Sequence, residues 1–206
     1  MLEELVKKAA EELRLREKAI DVVMGGARRA RILSKQAIIK AHNGDLVDSN
    51  DRLTEASRLI YEMSEIIAGH PDLGRFDQVN AAMEEYSEAR ILHALTDTGA
   101  YPSPKEVGVP IRVYIMGLAD VPGELRRQAL DALRKGEMGL AEERLETMEE
   151  IYLNLVSMEE APMLRGMRRK MDIARGVIER TRSEVTAEAG RLRLDESMRR
   201  LSERLS

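Results

Sequence analysis

The 206-residue chain has no cysteine, no tryptophan, one phenylalanine and five tyrosines. Without cysteine there can be no disulfide, no thiolate nucleophile and no cysteine-ligated zinc or iron–sulfur centre. Aromatic residues make up 3 %, too few for a base-stacking platform of the kind that grips single-stranded nucleic acid. Long uninterrupted apolar runs are missing and Met1-Leu2-Glu3-Glu4 does not read as a secretory signal, so no membrane association and a cytoplasmic location are expected. Glycine-rich phosphate loops are absent, and no histidine–acid partner marks a serine or threonine nucleophile. A net charge of −4 argues against a general DNA-coating surface. Any nucleic-acid contact must therefore be a local basic patch.

What the chain does have is 43 % hydrophobic and 34 % charged residues, with 12 methionines among the former. That is the palette of a folded, salt-bridge-laced helical protein whose core is Leu, Ile, Val, Ala and Met. Apolar periodicity predicts a helix from Leu2 to about His42, where Gly25-Gly26 could bend it or allow a close crossing. A second is expected from about Asp48, capped by Asp48, Ser49 or Asn50, to Ala68. Pro71 is read as opening a third, from about Asp72 to Leu95. Ser103-Pro104-Lys105-Glu106 has the pattern of a capped short helix. A long helix is expected from Pro110 to Lys135, then two more at about Gly139–Ser157 and Pro162–Glu188. Gly190 is read as a break before an amphipathic tail to Ser206. The expected architecture is all-α: a single domain of residues 1–206, a bundle of six or seven helices.

Two short acidic signatures stand out. Glu85-Tyr86-Ser87-Glu88-Ala89 places carboxylates at i,i+3, and Asp120-Val121-Pro122-Gly123-Glu124 places them at i,i+4. Each pair projects from one side of its helix. If the two pairs converge, they offer the all-oxygen donor set that suits Mg²⁺ or Mn²⁺. On the helix after Pro110, Ile111, Ile115, Leu118, Leu125, Ala129 and Leu133 form one stripe, with Asp120 and Glu124 opposite, beside Val113 and Met116. In the third helix Phe76, Met83 and Ala94 mark one face, with Glu85 and Glu88 opposite. The competing reading keeps all four as ordinary helix acids, with Asp120 capping a new helix and Glu124 in its first turn.

Arg28, Arg31 and Lys35, at i, i+3 and i+7 with Arg29 close by, make a basic stripe. It could contact phosphates or could equally be a solvated face paired with acids. Arg165, Arg168, Arg169 and Lys170 are read as salt-bridge partners. His42, His70 and His93 have no metal-ligand spacing, and His93 is expected to be packed or solvent-facing.

The two signatures resemble those of the translin family, and more those of its catalytic branch, translin-associated factor X, in its archaeal-type form. Glu85-Tyr86-x-Glu88-Ala89 is similar to one signature of that branch. Tyr114-Ile115-Met116-Gly117-Leu118-Ala119-Asp120-x-x-Gly123-Glu124-Leu125 is similar to the other, and weaker similarity runs from about Ser34 to the last long helix. The resemblance implies a seven-helix all-α protein assembling into a hollow, usually octameric homo-oligomer that binds RNA or single-stranded DNA. It implies a Mg²⁺-dependent endoribonuclease with Glu85, Glu88, Asp120 and Glu124 as catalytic and metal-binding carboxylates, and basic positions matching Arg28 and Lys35. Non-catalytic binding of RNA or DNA, as in translin itself, is the alternative. Pro122 departs from the family pattern and is expected to kink the helix between Asp120 and Glu124.

Overall fold

The computed structural model describes residues 1–205, so Ser206 at the end of the expected tail lies outside the described residues. Seven α-helices of eight residues or more and one short helix are present, with no strand among the described residues. The chain divides into two compact units, Met1–Gly117 and Leu118–Ser206.

In the first unit, α1 (Leu2–His42) packs on α2 (Leu46–Gly69) and on α3 (Asp77–Asp97). The buried face of α1 is Val23, Ala27, Ala30, Leu33, Ala37 and Ile38, the three-and-four spacing of a helix stripe. Its small residues let α2 come close. A Cβ on Gly26 would sit 3.0 Å from the Met63 side chain, so this glycine serves the close crossing and the helix is not interrupted there. The α2 cap is Asp45, which accepts from the Asp48 backbone N–H at 3.2 Å. None of the expected caps serves. Ser49 is buried instead, its hydroxyl donating to the Ala37 carbonyl at 3.0 Å.

The third helix also starts later than expected. Pro71 leads into a 3₁₀ turn, Leu73–Arg75, and α3 begins only after Phe76, whose backbone is extended. Phe76 is exposed, and α3 is buried on several sides through Val79, Ala82, Met83, Tyr86, Ala89, Ile91, Leu92 and Leu95. Ser103 and Glu106 form the expected capping box on the short α4 (Pro104–Val107). α5 (Ile111–Leu118) follows.

The expected long helix from Pro110 to Lys135 is two helices. α5 ends at Leu118 and α6 runs from Val121 to Lys135. Pro122 has no N–H to give the carbonyl of residue 118, and its ring would collide with that carbonyl. The proline is tolerated only in the first turn of a new helix, where it stands. The break also resets helical phase, so the expected continuous stripe does not exist. Ile111 is exposed, while Val113, Tyr114, Met116 and Gly117 are buried in α5.

In the second unit, α6 packs on α7 (Met138–Leu155) and on α8 (Met167–Leu205), and α7 also packs on α8. Leu125, Ala129, Met148, Ile151, Met167 and Met171 fill this core. Arg126 ties α6 to α8, with two 2.9 Å bonds to Glu184 and one to the Thr181 hydroxyl. α8 begins after Gly166 rather than at Pro162, and it runs through Gly190 without the expected break. A glycine inside a helix costs only about 1 kcal/mol. The Arg191–Glu188 pair spans Gly190, and Arg199–Asp195 supports the helix beyond it.

Candidate metal and nucleic-acid site

The first acidic pair lies mid-helix on α3, in a packed setting. Tyr86 and Ser87, between the two acids, are buried. α5 passes so close that a Cβ on Gly117 would lie 2.7 Å from both the Glu84 carbonyl oxygen and the Ser87 Cβ. The Ser87 hydroxyl is buried without a hydrogen-bond partner, so the position uses the smallness of serine rather than its polarity. Tyr114 holds the other part of α5, its hydroxyl donating to the Pro102 carbonyl at 2.8 Å. The tyrosines of the two signatures are therefore framework. They fix where Glu85 and Glu88 stand.

The Glu85 carboxylate is nearly buried, at 15 % exposure, and two residues of the basic stripe reach it from α1. Arg31 Nε lies 2.6 Å from one oxygen and Lys35 Nζ 3.4 Å from the other. Arg31 and Lys35 are themselves about half exposed. Arg28, on the same stripe, is exposed and makes no ion pair among the described residues. Arg29 pairs with Glu55 at 3.2 Å. The stripe is thus a solvent-facing basic row paired with acids, Arg31 and Lys35 holding Glu85.

His93 is packed, eight residues beyond Glu85 on α3. Its Nδ1 lies 3.1 Å from the Ser49 hydroxyl. Since that hydroxyl gives its only proton to Ala37, Nδ1 carries the proton toward Ser49. Burial pushes the imidazole below its ordinary pKa, Arg90 adds to the effect, and Asp97 opposes it. The result is a neutral histidine fastening α3 to α1 and α2.

In the second unit Asp120 occupies the N-cap position of α6, yet its side chain caps nothing. The carboxylate turns to Lys170 of α8, 2.5 Å from Nζ. Here the lysine is the more buried partner, at 20 % against 38 % for Asp120. Glu124 is in the first turn of α6, half-buried and with interactions of its own, as is Glu88 on α3. Of the basic run before and at the start of α8, Arg168 pairs with Glu160 and Lys170 with Asp120 as expected, whereas Arg165 and Arg169 hold no acid among the described residues. That Lys170 would meet Asp120, fifty positions away, had no local signal.

The donor chemistry of Glu85, Glu88, Asp120 and Glu124 suits a hard divalent cation, being all carboxylate oxygen. Glu85 and Asp120 already neutralise basic side chains. No group of three or more His, Asp or Glu stands in metal-holding geometry among the described residues. A groove of the first unit, about 410 Å³ and lined by Ile67, Val79, Met83 and Arg112 among others, contains none of the four.

An all-α fold with these two acidic signatures defines the class, and comparison with known proteins gives the family. The profile of the translin family matches residues 3–183, and the chain belongs to that family. It is 32 % identical over 171 residues to an uncharacterized protein of Methanocaldococcus jannaschii, covering 82 % of this chain and 76 % of that one. It is similar to the crystal structure of AfC3PO, with 34 % identity, a TM-score of 0.80, and coverage of 92 % of this chain and 97 % of that one. AfC3PO in its complex with duplex RNA matches at 33 % identity and a TM-score of 0.78, with the same coverage. The apo-NeC3PO structure matches at 24 % identity and a TM-score of 0.83, over 89 % of this chain and 96 % of that one, which is a likeness of fold. No helix among the described residues is long and apolar enough to cross a membrane.

Proposed function

We propose that this protein binds RNA as a homo-oligomer, octameric by family resemblance, and cleaves it as a metal-dependent endoribonuclease. Supporting the binding half are family membership and the 33 % identity to AfC3PO, whose structure includes duplex RNA. Single-stranded DNA is a further ligand of the same phosphate chemistry. The observation that carries the catalytic half is the presence of both acidic signatures as four carboxylates, one of them beside a basic stripe.

Glu85, Glu88, Asp120 and Glu124 would hold Mg²⁺ or Mn²⁺. A bound divalent ion supplies charge to the scissile phosphate and lowers the pKa of water. Arg28, Arg31 and Lys35 would meet backbone phosphates, setting register without reading sequence. Ser87 and Gly117 hold α3 and α5 in close contact, so Glu85 and Glu88 are presented on a rigid element. The alternative, RNA binding without cleavage, is favoured by one observation: no three-ligand cluster stands assembled among the described residues.

Incubating the purified protein with short labelled RNA, single-stranded and duplex, with Mn²⁺ or Mg²⁺ and with chelator, tests this reading. Cleavage is expected only with metal, and Glu85→Gln or Asp120→Asn should abolish it while leaving the oligomer's size unchanged. Full activity in both variants eliminates the site. Binding without cleavage in the unaltered protein establishes the alternative.

A further inference from the structure

Away from the acidic signatures, the groove of about 410 Å³ in the first unit has an uneven lining. Its floor is Val79 and Met83 of α3 and Val113 of α5, all buried, with Ile67 of α2 as a wall. Arg75 and Arg112 are the charged residues that line it, and no aspartate or glutamate does. We propose that this groove binds an aliphatic monocarboxylate, with the hydrocarbon chain along the floor and the carboxylate on Arg75. The site belongs to one compact unit and does not depend on the RNA reading.

The positive charge here is local, since the whole chain carries −4. Arg75 ends the 3₁₀ turn, is exposed, and holds no acid among the described residues. Asp72, three positions before it, pairs with Arg16 of α1 instead. Arg112 donates to the Asn80 side-chain oxygen at 3.2 Å and stands 3.8 Å from the Glu84 carboxylate. An anion entering the groove therefore meets Arg75 without displacing an acid from it, beside a second guanidinium. The planar guanidinium fork matches a carboxylate with two parallel hydrogen bonds.

The neutral polar groups decide what the rest of the ligand is. Asn80 Nδ2 donates to the Gly74 and Phe76 carbonyls, each at 3.2 Å, and its oxygen accepts from Arg112. Ser64 gives its proton to the Ile60 carbonyl at 2.8 Å. Both side chains already have partners. A nucleobase or sugar would set its donors and acceptors against Val79, Met83 and Val113 and leave them unpaired, which costs binding. A hydrocarbon chain loses nothing there and gains by leaving water. The groove's volume falls within the roughly 300–1,000 Å³ of small-molecule sites.

Isothermal titration of the full chain with sodium octanoate tests this. Octanoate should bind saturably, and octylamine or acetate at least about tenfold more weakly, each lacking the charge or the chain. Going from hexanoate to octanoate should tighten binding about three- to tenfold, for two partly buried methylenes. Arg75→Gln should weaken octanoate about three- to tenfold. Lys105→Gln, which removes an equal charge from an exposed position outside the groove, should not. Ala68→Trp, at an exposed position on the rim, should fill the groove and abolish binding with the unfolding midpoint unchanged.

Equal uptake of octanoate and octylamine overturns the proposal, as does unchanged octanoate affinity in either Arg75→Gln or Ala68→Trp. Binding that survives both variants belongs to the exposed leucines at the ends of α1 and α8. An unaltered chain that takes up no octanoate overturns it outright.

Discussion

Glu85 and Asp120 are both held by basic side chains, but with burial reversed. At Glu85 the acid is the enclosed partner and its two cations face solvent. At Asp120 the acid is the more exposed partner, and Lys170 is the enclosed one. An exposed cation can be exchanged for a phosphate at little cost, whereas an enclosed ammonium without its acid is left poorly solvated. The first signature's counter-ions on α1 therefore face solvent. The second is bound to its own unit. The backbones differ in the same sense, since Glu85 stands in the middle of a packed helix and Asp120 where Pro122 forces a new one to start.

The contrast breaks most readily at the α3–α5 contact. Gly117→Ala puts a methyl group 2.7 Å from a backbone carbonyl that cannot move alone, so a loss of about 1–3 kcal/mol is expected. Thermal or urea unfolding measures it. Ser87→Ala, which removes a hydroxyl with no partner, should leave stability unchanged or raise it. Equal losses in the two variants would mean that the serine, too, is held by its polarity.

A smaller effect sharpens the Asp120 side. Lys170→Met frees that carboxylate from its ammonium and should tighten Mn²⁺ binding about three- to tenfold. Isothermal titration or Mn²⁺ relaxation enhancement would read it. Arg168→Gln removes the same charge from the same turn, where the partner is Glu160, and should not. Unchanged or weaker binding in Lys170→Met would make the lysine a structural prop and the two signatures alike.

The smallest effect concerns how α3 is anchored. His93 is held neutral, with its folded pKa below the ~6.5 of an unfolded histidine. The unfolded chain therefore takes up a proton more readily, so His93's contribution is intact well above pH ~6.5 and declines as pH falls below it. The slope is at most about 1.4 kcal/mol per pH unit for one proton. Urea unfolding between neutral and mildly acidic pH should show this decline, and His93→Gln should flatten it relative to the parent. Identical pH profiles would detach His93 from the anchoring of α3.

Much of this was legible in the residues. The all-α class followed from helix-forming composition and three-and-four periodicity, and α1 was bounded correctly because Asn43-Gly44 is a strong local stop. The capping box at Ser103–Glu106 was equally local. Errors came where a local signal had a tertiary competitor. Ser49 has the chemistry of a cap, but its hydroxyl serves Ala37 and His93. Gly190 has the chemistry of a break, but neighbouring ion pairs carry α8 through it. The stripe beyond Pro110 assumed one continuous helix, and a proline resets the phase.

Sequence alone determined the material: helices without strands, a cysteine-free chemistry, and four carboxylates at helical spacing in the translin pattern. Those follow from side-chain type and from separations of a few residues, which fix geometry along a single helix. Which cation each acid meets was decided only by the fold. Arg31 and Lys35 reach Glu85 across some fifty positions, as Lys170 reaches Asp120. No local rule specifies a contact at that separation; packing of one helix on another does.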